Sequence, residues 1–350
     1  MKSPSRFLWL ALYAILGLFI GGKWNLPLAA WIAPVFAIRF FRESDKAGRN
    51  FLLLWAVSAL TTIISWHNAT AMHMLSPIAE PIFFAVVAPL SLFPYVVDRL
   101  YYRRFGDSAW LTLVYPVAAT AMDYFSASGS PFGSFGAGAY SQRDFLAAMQ
   151  IASVTGLWGI TFLASWFSSL VNHLWENAFK FTRLSLTFTG ILALIMGLAL
   201  ARSLTPTQPE QTARIAGFSL PDGGLTTLLT QLQAGDEAGF RDAADALHAE
   251  ELAQIRTLAD EGAQIIVLQE GAGIGYSDQV DKLLADAAAL AQEKGVYLVL
   301  PTFDLGKSPA ENVVRILDPQ GEVVLTHVKY GGNEFEGTLK GDGILQTVDT

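Results

Sequence analysis

The sequence predicts a multi-span α-helical membrane domain followed by an α/β domain. Three observations predict it. First, 52% of the 350 residues are hydrophobic and only 15% are charged, with mean hydropathy +0.37; an ordinary soluble domain is more polar. Second, the charge is divided. Residues 1–203 carry 14 Lys/Arg against 8 Asp/Glu, and residues 204–350 carry 9 against 23. Third, long apolar runs stop near residue 201, and strands alternating with helices follow. The expected layout is a seven-helix transmembrane domain over 1–203, a linker over 204–212 and an α/β domain over 213–350. The acidic second domain argues against a nucleic-acid partner, which needs a basic surface. There is no cysteine, so no disulfide, zinc–thiolate site or thiol nucleophile exists within these residues.

Lys2 and Arg6 precede an apolar run from Phe7 to Ile20. This has the shape of a signal peptide, but no small-x-small cleavage site precedes Gly21-Gly22-Lys23, and a second run begins at once. The pair reads as an uncleaved helical hairpin, its second arm over about 26–41. Both arms are shorter than the roughly 20 residues a bilayer core needs and borrow flanking residues, with Trp9 and Trp24 as interfacial anchors. Further spans are expected at about 51–66, 78–97, 110–125, 149–174 and 184–201, seven in all. Basic residues in the joints alternate. Eleven (Lys2, Arg6, Arg39, Arg42, Lys46, Arg49, Arg99, Arg103, Arg104, Lys180, Arg183) fall on one side, and three (Lys23, Arg143, Arg202) on the other. Basic loops stay in the cytoplasm, so the amino terminus is inside and everything after Ala201 is outside. His67 and His73 match no metal-ligand spacing. Glu80 and Asp123 lie at predicted outer ends of spans, open both to a functional role and to simple water exposure. Residues 128–138 form a glycine-rich outer loop.

Residues 203–212, with Pro206 and Pro209, form a polar linker. Residues 213–220 then read as a strand. Phe240, Ala244, Leu247, Leu252, Ile255 and Leu258 make the apolar stripe of a helix. Ile265-Ile266-Val267-Leu268 is a buried strand that runs into Gln269, Glu270 and a glycine turn. Val280, Leu283, Leu284, Ala287, Leu290 and Ala291 fall at helical spacing. Residues 296–303 make another buried strand. Residues 313–317 and 323–328 flank Asp318-Pro319-Gln320-Gly321, a hairpin turn. Ile344–Val348 reads as a last strand.

Two strands thus end in opposite charges, each running into glycines: Glu270 before Gly271, and Lys329 before Gly331-Gly332. In open α/β sheets ligands bind beyond the carboxyl ends of strands. A carboxylate that moves a proton, beside an ammonium that holds a developing oxyanion, suits acyl transfer, whose nucleophile is usually a thiol. An ion pair on the sheet rim gives the same spacing.

The order Glu270, then Asn312 opening a strand, then Asp318-x-x-Gly321, then Lys329 resembles the carbon–nitrogen hydrolase (nitrilase) superfamily. Seven spans ahead of such a domain resemble the apolipoprotein N-acyltransferase family within it. So do Ser130-Pro131-Phe132, Tyr140-Ser141-Gln142 and the run from Ile151 through Gly156, Gly159 and Phe162. The resemblance implies a nitrilase-like α-β-β-α sandwich. It implies an acyltransferase that moves an acyl chain from a membrane phospholipid, through a cysteine thioester, to the amino-terminal amine of a diacylglyceryl-cysteine lipoprotein. Glu270 takes the role of general base and Lys329 that of oxyanion stabiliser, with no metal or organic cofactor. It further implies a bacterial-type inner membrane, with the catalytic domain on the periplasmic face. The supporting glutamate of the family falls on Glu336 or Glu334, with Glu336 favoured, because Tyr330-Gly-Gly-Asn-Glu-Phe-Glu-Gly337 replaces the family's Pro-Phe-Gly-Glu stretch.

The family's cysteine and its last span have no counterpart in these residues. The chain is therefore expected to be a fragment, incomplete at its carboxyl end and inactive alone, with strand Ile344–Val348 unpaired. Ser277, on the far side of a glycine turn, and Thr338, with no placed base, are not expected to substitute. Two other readings stay open: a membrane-tethered amidase or nitrilase-type hydrolase, favoured by the short arm after Lys329, and a non-catalytic binding protein, favoured by the absence of cysteine. The charge bias predicts that reporter fusions after Arg104 and after Thr212 report opposite sides of the membrane; both on one side would remove a span.

Overall fold

The computed structural model describes residues 6–43, 45–70, 78–205, 212–219 and 222–349. The chain divides into two compact units, Met1–Thr207 and Gln208–Thr350.

In the first unit the apolar runs form α1 (Arg6–Gly17), α2 (Pro27–Arg42), α3 (Ala47–Trp66), α4 (Ala79–Phe105), α5 (Val114–Gly129), the short α6 (Leu146–Gln150), α7 (Ala152–Glu176) and α8 (Arg183–Leu204). Among the described residues, α3, α4, α7 and α8 are long and apolar enough to cross a membrane. The other three expected spans are shorter helices, α1 of 12 residues and α2 and α5 of 16 each.

Contacts between the helices give their directions. Tyr13 meets Ser58 at 2.8 Å and Gly17 lies against Thr61, so α1 and α3 run the same way. Val35 O accepts from Asn172 at 2.7 Å, and Arg42 pairs with Glu176 at 3.5 Å, so α2 and α7 run together. Trp166 donates to Thr112 at 3.2 Å and Thr161 to Asp123 at 2.9 Å, which sets α5 against α7. Arg202 donates to Ser153 at 2.7 Å, while Trp166 meets Phe188 edge to face, so α8 also opposes α7. Two core clusters fill the bundle, one around Phe40, Ile38 and Leu54, the other around Trp31, Ala148 and Leu170.

Several charges read as loop residues are part of this packing. The expected span 78–97 continues to Phe105 because Asp98, 2% exposed, makes a two-pronged ion pair with Arg42 at 2.8 and 2.7 Å. Such a pair offsets the cost of burying both charges only when its geometry is good. Glu80 is buried rather than water-exposed. It accepts from Asn68 N (2.9 Å), Thr70 N (3.2 Å) and Thr70 Oγ1 (2.7 Å), closing the turn after α3. Asp123 accepts from Gly138 N at 2.8 Å and so anchors the glycine-rich loop. His67 caps the end of α3; His73 lies outside the described residues.

The second unit holds one mixed sheet: β1 (Ile215–Phe218), β2 (Ile265–Leu268), β3 (Gly273–Gly275), β4 (Tyr297–Asp304), β5 (Glu311–Leu317) and β6 (Val323–Val328). The order is β1-β2-β4-β5-β6, with β3 beside β4. The first three pairings (β1 with β2, β2 with β4, β3 with β4) are parallel, and β4-β5 and β5-β6 are antiparallel. The helices α9 (Asp222–Ala234), α10 (Glu237–Asp260) and α11 (Ser277–Lys294) accompany it. The stripes of α10 and α11 cover one face: Ile255, Leu283, Ala287 and Leu290 pack on Ile266, Leu298, Leu300 and Leu317. The hairpin turn forms as expected. Gly321 N donates to Asp318 O at 2.9 Å. Gly321 has φ +80°, and a Cβ there would lie 2.6 Å from Ala288 O, so only glycine fits. Helix α9 was not expected, because Gly223 and Gly224 blunt its periodicity; Leu228 nevertheless packs with Phe240, Ala244 and Leu247. Ile344–Val348 forms no strand: it finds no neighbour among the described residues, and Leu345 is 93% exposed.

Glu251 occupies the sheet-facing stripe of α10 between Leu247 and Ile255. It is fully buried, and neither oxygen has a hydrogen-bond partner among the described residues. Burial, with Glu250 adding to it, pushes its pKa from 4.5 up to about 8. The folded state therefore holds a proton that the unfolded state has released between those values. Stability is complete below the unfolded value and is lost as pH rises through the folded one, at roughly 1.4 kcal/mol per pH unit inside the window. Glu251→Gln is expected to raise the melting temperature most at pH 8–9 and to flatten its pH dependence, checked by thermal melts of detergent-solubilised protein; equal shifts at pH 5 and pH 9 would exclude this account.

Candidate functional site

The site lies along one edge of the sheet, where β2 and β6 end and β5 begins. Because β2, β4, β5 and β6 are consecutive neighbours, the ends of β2 and β6 stand three strand spacings, about 14 Å, apart. Long side chains close that gap. Glu270 reaches across from β2 and Lys329 from β6, and Lys329 Nζ meets Glu270 Oε1 at 2.8 Å. The same ammonium is in close contact with Glu336 Oε1. One cation is thus held between two carboxylates.

Asn312, at the start of β5, lies between them and is 4% exposed. Its Nδ2 donates to Glu270 Oε1 at 2.9 Å and to Glu336 Oε2 at 3.4 Å. Its carbonyl accepts from Lys329 N at 2.9 Å, so one residue fixes both the backbone and the charge partners of the lysine. After Lys329 the chain reverses through Gly331 (φ +110°) and Gly332 (φ +74°) into the single turn α12 (Asn333–Glu336). Positive φ at both positions suits glycine alone. Buried Asn333 ties the reversal together. Its Oδ1 accepts from Gly331 N at 2.8 Å, and its Nδ2 donates to Lys329 O (3.2 Å), Thr338 Oγ1 (3.0 Å) and Leu339 O (2.9 Å).

The two carboxylates differ in what remains free. Both oxygens of Glu336 are engaged, Oε1 by Lys329 and Oε2 by Asn312 and Thr338. On Glu270, Oε1 takes both bonds, and Oε2 has no partner among the described residues; the side chain is 63% exposed. Burial raises the Glu270 pKa, but the bonds from Lys329 and Asn312 outweigh it and hold the carboxyl below its usual value. Burial likewise lowers Lys329, and its bonds to Glu270 and Glu336 outweigh that and hold it above its usual value. Both groups are charged across the neutral range.

The structure brings Glu270, Lys329 and Glu336 together; it is Glu336, not Glu334, whose carboxylate reaches the lysine. Ser277 is committed elsewhere, donating to Asp304 at 2.9 and 3.0 Å. Thr338, expected to have no base near it, lies against Glu336 at 3.4 Å. The positioning part of Asn312 and Asn333 was not read from the sequence. The available signal was an asparagine opening an otherwise apolar strand, and another following a glycine pair. No group of three or more His, Asp or Glu among the described residues is arranged to hold a metal ion.

Replacing Lys329 by Met leaves burial of Glu270 opposed by Asn312 alone. The Glu270 titration midpoint is then expected to move up, read as the pH dependence of carbodiimide labelling of the Glu270 peptide by mass spectrometry. An unmoved midpoint would assign the effect to Asn312.

Residues 8–170 match the family model of the apolipoprotein N-acyltransferase N-terminal domain. Among solved structures, a double mutant of the amidase from Nesterenkonia sp. AN1 in complex with acrylamide matches at 19% identity and TM-score 0.25, over 39% of this chain and 52% of the amidase. The matched part is about half of that enzyme's length. No curated protein matches the chain.

Proposed function

We propose, from the premise that residues 8–170 match the N-terminal domain of apolipoprotein N-acyltransferases, that this chain serves a membrane N-acyltransferase of lipoprotein maturation. The acyl donor is a membrane phospholipid, and the acceptor is the amino-terminal amine of a diacylglyceryl-cysteine lipoprotein. The observation that carries the reading is the division of labour at the sheet edge. Glu336 spends both oxygens on Lys329, Asn312 and Thr338, whereas Glu270 keeps Oε2 open beside an ammonium.

In this reading Glu270 is the general base and Lys329 the oxyanion donor. The nucleophile is a thiol, which the reading requires and these 350 residues do not contain. Glu270 Oε2 takes the thiol proton as sulfur bonds to the ester carbonyl carbon of the phospholipid. Lys329 Nζ donates to the carbonyl oxygen as it becomes negative. The intermediate collapses, the ester C–O bond breaks, and Glu270 returns its proton to the leaving alkoxide, giving a thioester and a lysophospholipid. In the second half the neutral amine of the lipoprotein attacks the thioester carbonyl. Glu270 accepts the amine proton and passes it to the departing thiolate, which leaves an amide and restores the thiol. Glu336 and Asn312 position Lys329 throughout.

Seven crossings with the amino terminus in the cytoplasm, and the second unit on the outer face of a bacterial-type inner membrane, belong to the same reading. They are supported by the charge bias and by helix directions in which α1 follows α3 and α2 follows α7. The domain bounds 1–203, 204–212 and 213–350 go with them.

The test supplies full-length protein with acyl-labelled phospholipid and a diacylated lipopeptide. The expected product is acylated lipopeptide. Glu270→Gln is expected to lower turnover by roughly 10²–10⁴-fold. Lys329→Met is expected to remove about 2.7–4 kcal/mol of transition-state stabilisation. Fatty acid release without acceptor acylation would favour the hydrolase reading; full activity in Glu270→Gln would return Glu270 to a surface carboxylate.

A further inference from the structure

The first unit carries a second feature, away from any titratable cluster. A groove of about 400 Å³ runs between α5 and α7, walled by Val117, Ala121, Tyr124 and Phe125 on one side and Trp158 and Phe162 on the other. It is open along its outer side, a surface groove rather than an enclosed cavity. The walls are held at two levels by buried or half-buried hydrogen bonds. Thr161 donates to Asp123 at 2.9 Å, and Trp166 donates to Thr112 at 3.2 Å. Tyr124 and Trp158 meet edge to face, with centroids 5.5 Å apart. Helix α7 breaks at Gly156 (φ +63°), two residues before Trp158, where a Cβ would meet nothing within 4 Å.

Little of the groove's surface is polar. Asp123 is spent on Gly138 and Thr161. Thr120 also lines the groove, and its buried hydroxyl has no hydrogen-bond partner among the described residues. Phe125, Val117 and Tyr124 are 70%, 57% and 50% exposed, so the groove opens outward from the unit. Helix α7 is long and apolar enough to cross a membrane, and the medium against its outward face is then lipid. A braced surface groove that presents almost only carbon and aromatic faces favours a hydrocarbon, held by packing contacts. We propose that this groove binds one acyl chain of a bilayer lipid. The proposal needs only that the unit lies in a membrane, and it stands apart from the acyl-transfer reading.

The test places the full chain in phospholipid nanodiscs containing a phospholipid with a diazirine midway along one acyl chain. After illumination, adducts are mapped by peptide mass spectrometry. Leu194 and Leu198 on α8, 62% and 63% exposed, report ordinary lipid contact. Adducts on the Tyr124–Phe125 and Trp158–Phe162 peptides are expected to exceed those on the Leu194–Leu198 peptide several-fold. Ala121→Trp fills the groove and is expected to bring them down to the α8 level while α8 labelling holds. If Ala121→Trp elutes as aggregate, Ala121→Leu is measured instead, with a smaller drop expected. Even labelling of all three peptides, or groove labelling that neither substitution lowers, overturns the proposal.

Discussion

A single ammonium held between two carboxylates constrains the sheet edge of the second unit. Lys329 sits three strands from Glu270, and contact is made only because both side chains are long and the positions between them are filled correctly. Asn312 supplies that filling. Its amide donates to both carboxylates while its carbonyl accepts from the lysine backbone. The strand order matters for the same reason. The antiparallel β5 brings its start, rather than its end, to the edge where β2 and β6 end, so Asn312, its second residue, lies at the termini of both. The turn through Gly331 and Gly332 then returns Glu336 to the lysine within seven residues, and Asn333 locks the return.

The first unit is held by a different device. Its helices bury polar groups where they cross, and several of these bonds end on backbone carbonyls: Ser168 on Trp31, Asn172 on Val35, Gln142 on Pro27. Such bonds fix register, because an apolar helix face alone permits sliding. Arg42 adds a deeply buried ion pair with Asp98 at the end where α2, α4 and α7 converge, and Glu176 joins it. Removing Arg42 would leave Asp98 an unpaired buried charge, a loss of about 3–5 kcal/mol, whereas removing Asp98 would leave Arg42 with Glu176 alone.

How much of this was legible in the sequence depends on where the determining interaction lies. Strands β2, β4, β5 and β6 were readable because β-branched runs bounded by turn residues are a local signal. Glu270 and Lys329 were readable because each ends such a run. The choice between Glu336 and Glu334 was not, since it turns on two positive φ angles and a buried asparagine rather than on periodicity. The end of α4 was misplaced for a similar reason: Asp98 and Arg99 look like loop charges until Arg42, 56 residues away, is brought against Asp98. Ile344–Val348 has strand-like alternation, but a strand is a pairing and not a composition; among the described residues nothing pairs with it. Glu251 was invisible in the opposite sense, a charged residue in a stripe that otherwise reads as uniformly apolar.

The arrangement at the sheet edge also bears on which proton moves. The cluster holds two negative charges and one positive, so it favours a partner that arrives neutral and gives up a proton over one that arrives as an anion. Lys329 is shared, and each carboxylate weakens its pull on the other. Glu336 is engaged on both oxygens, by three donors in all. Glu270 Oε2 has no partner among the described residues, and it sits on the side chain with the greater exposure, 63% against 29%. The engaged carboxylate therefore keeps the ammonium in place when the open one is protonated and loosens its hold. In the proposed acyl transfer, a site with Glu270 alone would release Lys329 at the moment its charge is needed by an oxyanion, and the second carboxylate would hold it, which gives that proposal a physical reason for two glutamates around one lysine.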